Sequence, residues 1–242
     1  MRSEAMLTWV TAGLLSAGVL AAPAAARADG PQKEKVQVKI PEPGVPQIMT
    51  MEGRYVRAAY NNEGYVILGY RLVNQSVGEP WMLLEVGFAL RDGRPDYTMP
   101  RDAISLDTPA GQTVPLPTVE EFRKTDVRAL MAREKVQRDS INYFPPNAYQ
   151  ACRIGFFNEV DSRAQAWDTV ELNNQRACLG RLFFEVPGGI SYGQYWLNVK
   201  FKETLIRVPF RVLTKEEDKM LEKNYRDIEK QVKDAFAPKK KS

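Results

Sequence analysis

Apolar and polar side chains alternate along much of this chain, and that period of two predicts a β protein. In "RYVRAAY", Val56, Ala58 and Tyr60 share one face, and "NNEG" at 61–64 reads as a hairpin turn. "YVILGYRLV" puts Val66, Leu68, Tyr70 and Leu72 on one side and Arg71 on the other. "WMLLEVGFAL" obeys the same rule, with Met82, Leu84, Val86, Phe88 and Leu90 inward and Glu85 outward. After a turn at "RDGRP", short strands are expected at "AISL" (103–106) and "TVPL" (113–116). Further on, Cys152, Ile154 and Phe156 share a face. So do Cys178, Leu182, Phe184 and Val186, with Arg181 and Glu185 opposite. "YWLNVKF" turns Tyr195, Leu197, Val199 and Phe201 inward, and "LIRVPFRV" does the same with Ile206, Val208, Phe210 and Val212. Pro209 has no N–H for a ladder, so this last strand is an edge or carries a bulge.

Two stretches leave the pattern. In "PTVEEFRKTDVRALMAREKVQRDSINYFPP", Thr118 and Glu121 have capping-box spacing, and Phe122, Val127, Leu130 and Met131 form a loose helical stripe. This predicts a helical insertion at about 118–141, stopped before Pro145 and Pro146. Near the end, Thr214 and Glu217 repeat the box, and Leu221, Tyr225, Ile228 and Val232 recur at four-three spacing. An amphipathic helix is expected over 214–236, followed by a basic tail at 237–242. Its apolar stripe either docks on its own domain or pairs with a partner helix, self-association included. Residues 29–47 carry prolines at 31, 41, 43 and 46 and read as an extended arm. The body of the protein is then a β domain over 48–213.

The first residues have a different logic. Arg2, an apolar run from about Met6 to Ala22, and small residues ending in Ala26-Arg27-Ala28 predict a cleaved secretory signal over 1–28. The run is short for a spanning helix and breaks at Pro23. The expected setting is periplasmic or extracellular, with no membrane span after cleavage. In such a compartment the only two cysteines, Cys152 and Cys178, are expected to form a disulfide. They lack the C-x-x-C spacing of a redox site, and zinc would require four ligands. A closed loop of this size stabilises by roughly 3.5 kcal/mol. Because both cysteines share parity with core residues, the expectation is a bridge between two sheets through the interior.

Eight or nine short strands with turns between them favour an immunoglobulin-like antiparallel β-sandwich. The stretch "YVILGYRLVNQSVGEPWMLLEVGFALRDG", followed by "GRLFFEVPGGISYGQYWLNVKF" and "IRVPFRV", resembles an immunoglobulin-like family of exported bacterial proteins of unknown function. The resemblance rests on a strand ending at Asn74 and on Phe-Glu-Val-Pro at 184–187. It implies a sandwich fold and a cell-envelope setting, and it transfers no catalytic residue.

Charge and composition then exclude several functions. The chain has no histidine, so Ser-His-Asp and Cys-His catalysis are absent. The net charge of +4 falls to +3 once Arg2, Arg27 and Glu4 leave with the signal, and Lys239 to Lys241 account for that remainder. A nucleic-acid partner is therefore not expected. No cofactor or metal site is expected. Met49 and Met51 are the best alternative, as thioethers for a soft metal. A carboxylate pair serving an envelope hydrolase is another. The expected role is a non-catalytic module that binds another envelope or extracellular protein. Its candidate contacts, unless the inserted and C-terminal helices cover them, are the aromatics Tyr55, Phe183 and Trp196 on the outward parity, Trp81 at a strand start, Trp167 in the loop between the cysteines, and Tyr143 and Phe144 at the end of the insertion. The helical stripe adds Leu221, Tyr225, Ile228 and Val232.

Overall fold

Residues 47–157 and 165–236 are described by the computed structural model. The expected signal at 1–28, the expected arm up to residue 46 and the basic tail at 237–242 lie outside the described residues. In chain order the strands begin with β1 (Ile48–Gly53), β2 (Val56–Tyr60), β3 (Gly64–Gly69) and β4 (Trp81–Leu90). Short strands follow at β5 (Tyr97–Pro100), β6 (Ile104–Asp107) and β7 (Thr113–Pro115), then helices α1 (Val119–Arg123) and α2 (Arg128–Val136). The remainder is β8 (Gln150–Ile154), β9 (Thr169–Leu172), β10 (Arg176–Glu185), β11 (Gly193–Lys200), β12 (Leu205–Val212) and α3 (Lys215–Phe236).

The strands make three sheets. The largest has six strands in the order β1-β2-β3-β4-β10-β8, antiparallel except that β8 runs parallel to β10. A four-stranded sheet has the order β12-β11-β6-β7, and β5 pairs with β9 alone. The two larger sheets share one core. Val66, Leu68, Leu84, Val86 and Phe88 from the first meet Ile104, Leu106, Tyr195, Leu197 and Val208 from the second. The turn that starts the meander closes on Asn61, whose Oδ1 accepts the N–H of Glu63 (2.8 Å) and Gly64 (3.1 Å). Buried Glu63 in turn accepts from the backbone of Glu203 and Thr204, tying this turn to the one between β11 and β12. Pro209 sits in β12, which is an edge strand, as a residue without a donor requires.

The structure corrects several expectations. The first strand starts at Ile48, with Met49 and Met51 inward, each 2% exposed. Strand β3 stops at Gly69, and residues 71–75 form a 3₁₀ turn that buries both Leu72 and Val73. Its start is fixed by Asp139, which accepts from the Arg71 backbone N–H (2.8 Å) and from Arg71 Nε (3.1 Å). The expected helical insertion is present and consists of two helices, α1 and α2. Asp126 Oδ1 accepts the Arg128 N–H at 3.1 Å, so α2 begins afresh after the break. Val56 and Ala58 do share a face, but it is the outer one, where they pack with Ile67 against Ile141 and Phe144.

The disulfide does form, and its place differs from the expectation. Cys152 and Cys178 lie directly opposite each other on β8 and β10, with Cα atoms 4.1 Å apart. It therefore joins neighbouring strands of one sheet and does not cross the core. Parity alone puts both sulfurs on a core face without saying whether that face belongs to one sheet or two.

Helix α3 docks on its own domain. Thr214 and Glu217 form the expected reciprocal cap, with N–H to Oε2 at 2.9 Å and N–H to Oγ1 at 3.2 Å. Leu221 and Val232 enter the main core, Tyr225 and Ile228 pack against it, and the helix lies along β1. The hydroxyl of Tyr55 donates to Asp218 at its first turn.

Candidate functional site

The chemistry of the molecule gathers on the outer face of the six-stranded sheet. Outward positions of β4 and β10 stand in register there: Leu83 opposite Phe183, Glu85 opposite Arg181, and Gly87 opposite Leu179. A sheet face with two charges amid apolar residues needs a cover that can pair those charges. The insertion supplies it.

Aromatic packing fixes one end of the cover. The Phe122 ring of α1 lies 4.8 Å from Phe183 and 4.6 Å from Phe157, and Trp81 meets it edge-on at 6.2 Å. Ion pairs fix the other end. Glu134 of α2 is buried, with Oε2 2.9 Å from Arg181 Nη2 and Oε1 3.1 Å from Arg138 Nε. Arg138 Nε also lies 3.3 Å from Glu85 Oε1, and the Asp139 N–H donates to Glu85 Oε2 at 2.6 Å. Burial raises the Glu85 carboxyl to about 7; the Asp139 N–H works against that rise, and the nearby Glu134 side chain adds to it. Asp139 is raised too, by burial, against the pull of Arg71.

Between cover and sheet lies a cavity of about 240 Å³. Its polar lining is Glu85, Arg138, Arg153 and Arg181, and its apolar lining includes Met131, Ile154, Phe157 and Leu179. Trp167 lies against Gly155, one residue beyond Ile154. An ideal Cβ on Gly155 would stand 3.0 Å from the indole Cδ1, so the missing side chain makes the seat. Buried Arg101 holds this corner together. It donates to the carbonyls of Pro117 (3.0 Å), Phe156 (2.5 Å) and Trp167 (3.3 Å), and it pairs with Asp168 at 3.0 Å. One guanidinium thus links the root of the insertion, the end of β8 and the tryptophan loop.

The expected contact residues divide sharply. Tyr55, Phe183, Leu221 and Val232 are buried within the chain. Phe144 covers Gly87, where a Cβ would come within 2.6 Å of its ring. Trp81 is half-buried against Phe122, and Trp196 is half-buried beneath the Arg207 guanidinium, 5.0 Å from its ring centre. Tyr225 and Ile228 are partly covered by the core. Tyr143 remains 39% exposed, with its hydroxyl on the Glu52 carbonyl at 3.0 Å, and Trp167 is 58% exposed. Met49 and Met51 belong to the core. Among the described residues no group of three or more His, Cys, Asp or Glu could hold a metal.

Sequence reasoning did not single out Glu85, Glu134, Arg138 or Arg153. One signal was present: Glu85 is the lone charge in a ten-residue apolar strand. No family model matches this chain, nor does any curated protein or any solved structure.

The raised Glu85 carboxyl has a measurable consequence. Between its ordinary value near 4.5 and the raised value near 7, the native state holds a proton that the unfolded state has released. Its stabilising contribution is complete below about pH 4.5 and is lost as pH rises through 7. Glu85→Gln keeps a neutral group beside Glu134 and is expected to reduce the pH 4.5–7 decline by roughly 2–3 kcal/mol relative to the parent, read from urea melts. Equal pH slopes for the two proteins would refute the assignment.

Proposed function

We propose that this chain is an exported, non-catalytic binding module with an immunoglobulin-like sandwich as its body, and that it holds another envelope protein on the outer face of its six-stranded sheet. One observation carries this reading: Leu179, 38% exposed, lines a cavity together with three arginines, and Trp167, 58% exposed, lies against Gly155, next to the lining residue Ile154. Tryptophan and arginine are the residues that dominate binding energy at interface centres. Export is supported by the Cys152–Cys178 disulfide, since such bonds persist in oxidising compartments. No helix among the described residues is long and apolar enough to cross a membrane. The sandwich reading is supported by two antiparallel-dominated sheets around one core.

A carboxylate-based hydrolase fits the site less well. Glu85 and Glu134 crowd onto the same Arg138 Nε, at 3.3 and 3.1 Å, and Arg181 also holds Glu134. Retaining glycosidases need about 5 Å between their carboxyls, and inverting ones more.

The test is co-purification of the tagged protein from cell envelopes. Trp167→Ser with Leu179→Ser is expected to reduce the recovered partner at least about tenfold. Met220→Ser, at an exposed position of α3 (49%), is expected to leave it unchanged. The reverse pattern, or no partner with the parent protein, would remove the proposal.

A further inference from the structure

We infer that residues 137–144 form a proton-operated latch: Glu85 and Glu134 hold this segment on the sheet while the pair keeps one proton, and loss of that proton loosens it from the outer face. The inference needs no bound partner and stands apart from the binding reading above.

The segment is held by side chains. Among the described residues, no backbone–backbone hydrogen bond involves residues 138–144. Ile141 and Phe144 lie on Val56, Ala58 and Ile67, and the Tyr143 hydroxyl donates to the Glu52 carbonyl. Asp139 accepts two bonds from Arg71. The central tie is Glu85, which accepts the Asp139 N–H at 2.6 Å and the Arg138 Nε–H at 3.3 Å. A segment without ladder bonds opens at a lower free energy than the strands beneath it.

That tie is contested. Arg138 Nε carries one hydrogen, yet Glu134 Oε1 stands 3.1 Å from it and Glu85 Oε1 3.3 Å. Glu85 takes the hydrogen bond. The Glu134 side chain, 1% exposed, keeps its ion-pair contacts with Arg138 and Arg181, but neither of its oxygens accepts a hydrogen bond. A buried acceptor without a donor is costly, and two ionised carboxylates at one donor repel. A single proton kept by the pair removes that repulsion.

The surroundings of Glu85 are mixed in charge. Strand β10 presents Arg181 opposite it, and β8 adds Arg153 to the same cavity lining. Helix α2 brings Glu134, the segment itself brings Arg138 and Asp139, and Arg71 reaches Asp139 from the 3₁₀ turn. On the other side β3 places uncharged Gly69 opposite Glu85. Burial prevails among these influences and holds the Glu85 carboxyl at about 7. Once the segment lifts, water reaches Glu85 and returns it toward its ordinary value near 4.5. The latched form therefore holds a proton that the loosened form has released. Opening rises about tenfold per pH unit between roughly 4.5 and 7 and levels off above.

Hydrogen exchange at the Asp139 amide, followed by NMR from pH 5 to 7.5 and corrected for intrinsic rates, tests the latch. Protection in the parent is expected to fall at least about tenfold over that range. At every pH, Asp139 is expected to open at least about a hundredfold more often than Leu197, whose strand is paired on both sides. Glu85→Gln keeps a neutral hydrogen-bonding group and is expected to reduce the fall to less than about threefold. Glu134→Gln is expected to do the same, because Glu85 then faces no second carboxylate at Nε, and it serves alone should Glu85→Gln fail to fold. Asp139 and Leu197 opening at one frequency would mean whole-domain unfolding and would overturn the latch. So would a pH-independent Asp139 amide in the parent, or an undiminished fall in either folded variant.

Discussion

Removing the disulfide by Cys152→Ser with Cys178→Ala is expected to lower the unfolding free energy by about 3.5 kcal/mol. The figure is the loop-entropy value for two residues 26 positions apart. Serine suits position 152, which is half-buried, whereas alanine suits position 178, where an unpaired hydroxyl would be buried in the core. The location makes the effect more specific than a uniform loss. Strand β8 is an edge strand held on one side only, by its parallel pairing with β10. The bond closes a loop that contains β9 and Trp167. Amides of 150–154 are therefore expected to lose exchange protection first, before the centre of β4. Urea melts with and without reductant give the magnitude, and hydrogen exchange gives the place. Undiminished stability together with unchanged protection at β8 would contradict the account of the staple.

Phe183→Ala is expected to cost more, about 3–5 kcal/mol. The ring is 1% exposed and touches both Phe122 and Phe157, with centroids 4.8 and 5.2 Å away. Truncation removes the face on which α1 rests, and the facing Phe122 belongs to a helix of only five residues, too short to persist without tertiary support. The loss should appear as a lower denaturant midpoint with little change in slope. Limited proteolysis should cut the variant within 118–141 before it cuts elsewhere. Phe183→Leu, which keeps most of the apolar volume, should lose clearly less. An alanine variant within about 1 kcal/mol of the parent would mean that the cover is not anchored there.

Much of this arrangement was legible from the period of two. Met82 to Leu90, Tyr195 to Phe201 and Ile206 to Val212 turn the expected faces inward because strand geometry leaves few alternatives. The cap of α3 was equally plain, since Thr214 and Glu217 interact locally. The outer face was not legible. Alternation marks Glu85 and Arg181 as outward, and outward was read as solvent, but a segment some fifty residues away in sequence covers Glu85. Phe183 and Tyr55 were ambiguous in the opposite sense: aromatics off the core parity suit either a partner or cover by the inserted and C-terminal helices, and the chain itself supplies the cover through Phe122 and α3. Strands β5 and β9 were missed because each is four residues long and neither alternates strongly. The cavity arises from pairings between β4, β8, β10 and α2, and no local pattern encodes such a meeting.

Site-specific photo-crosslinking in living cells tests the central claim most directly. A benzoylphenylalanine placed at position 167 keeps an aromatic bulk beside the cavity, and one placed at position 220 samples the exposed side of α3. The account predicts a discrete adduct with an envelope protein from position 167 and none from position 220. An adduct from 220 alone, or none from 167, would contradict it.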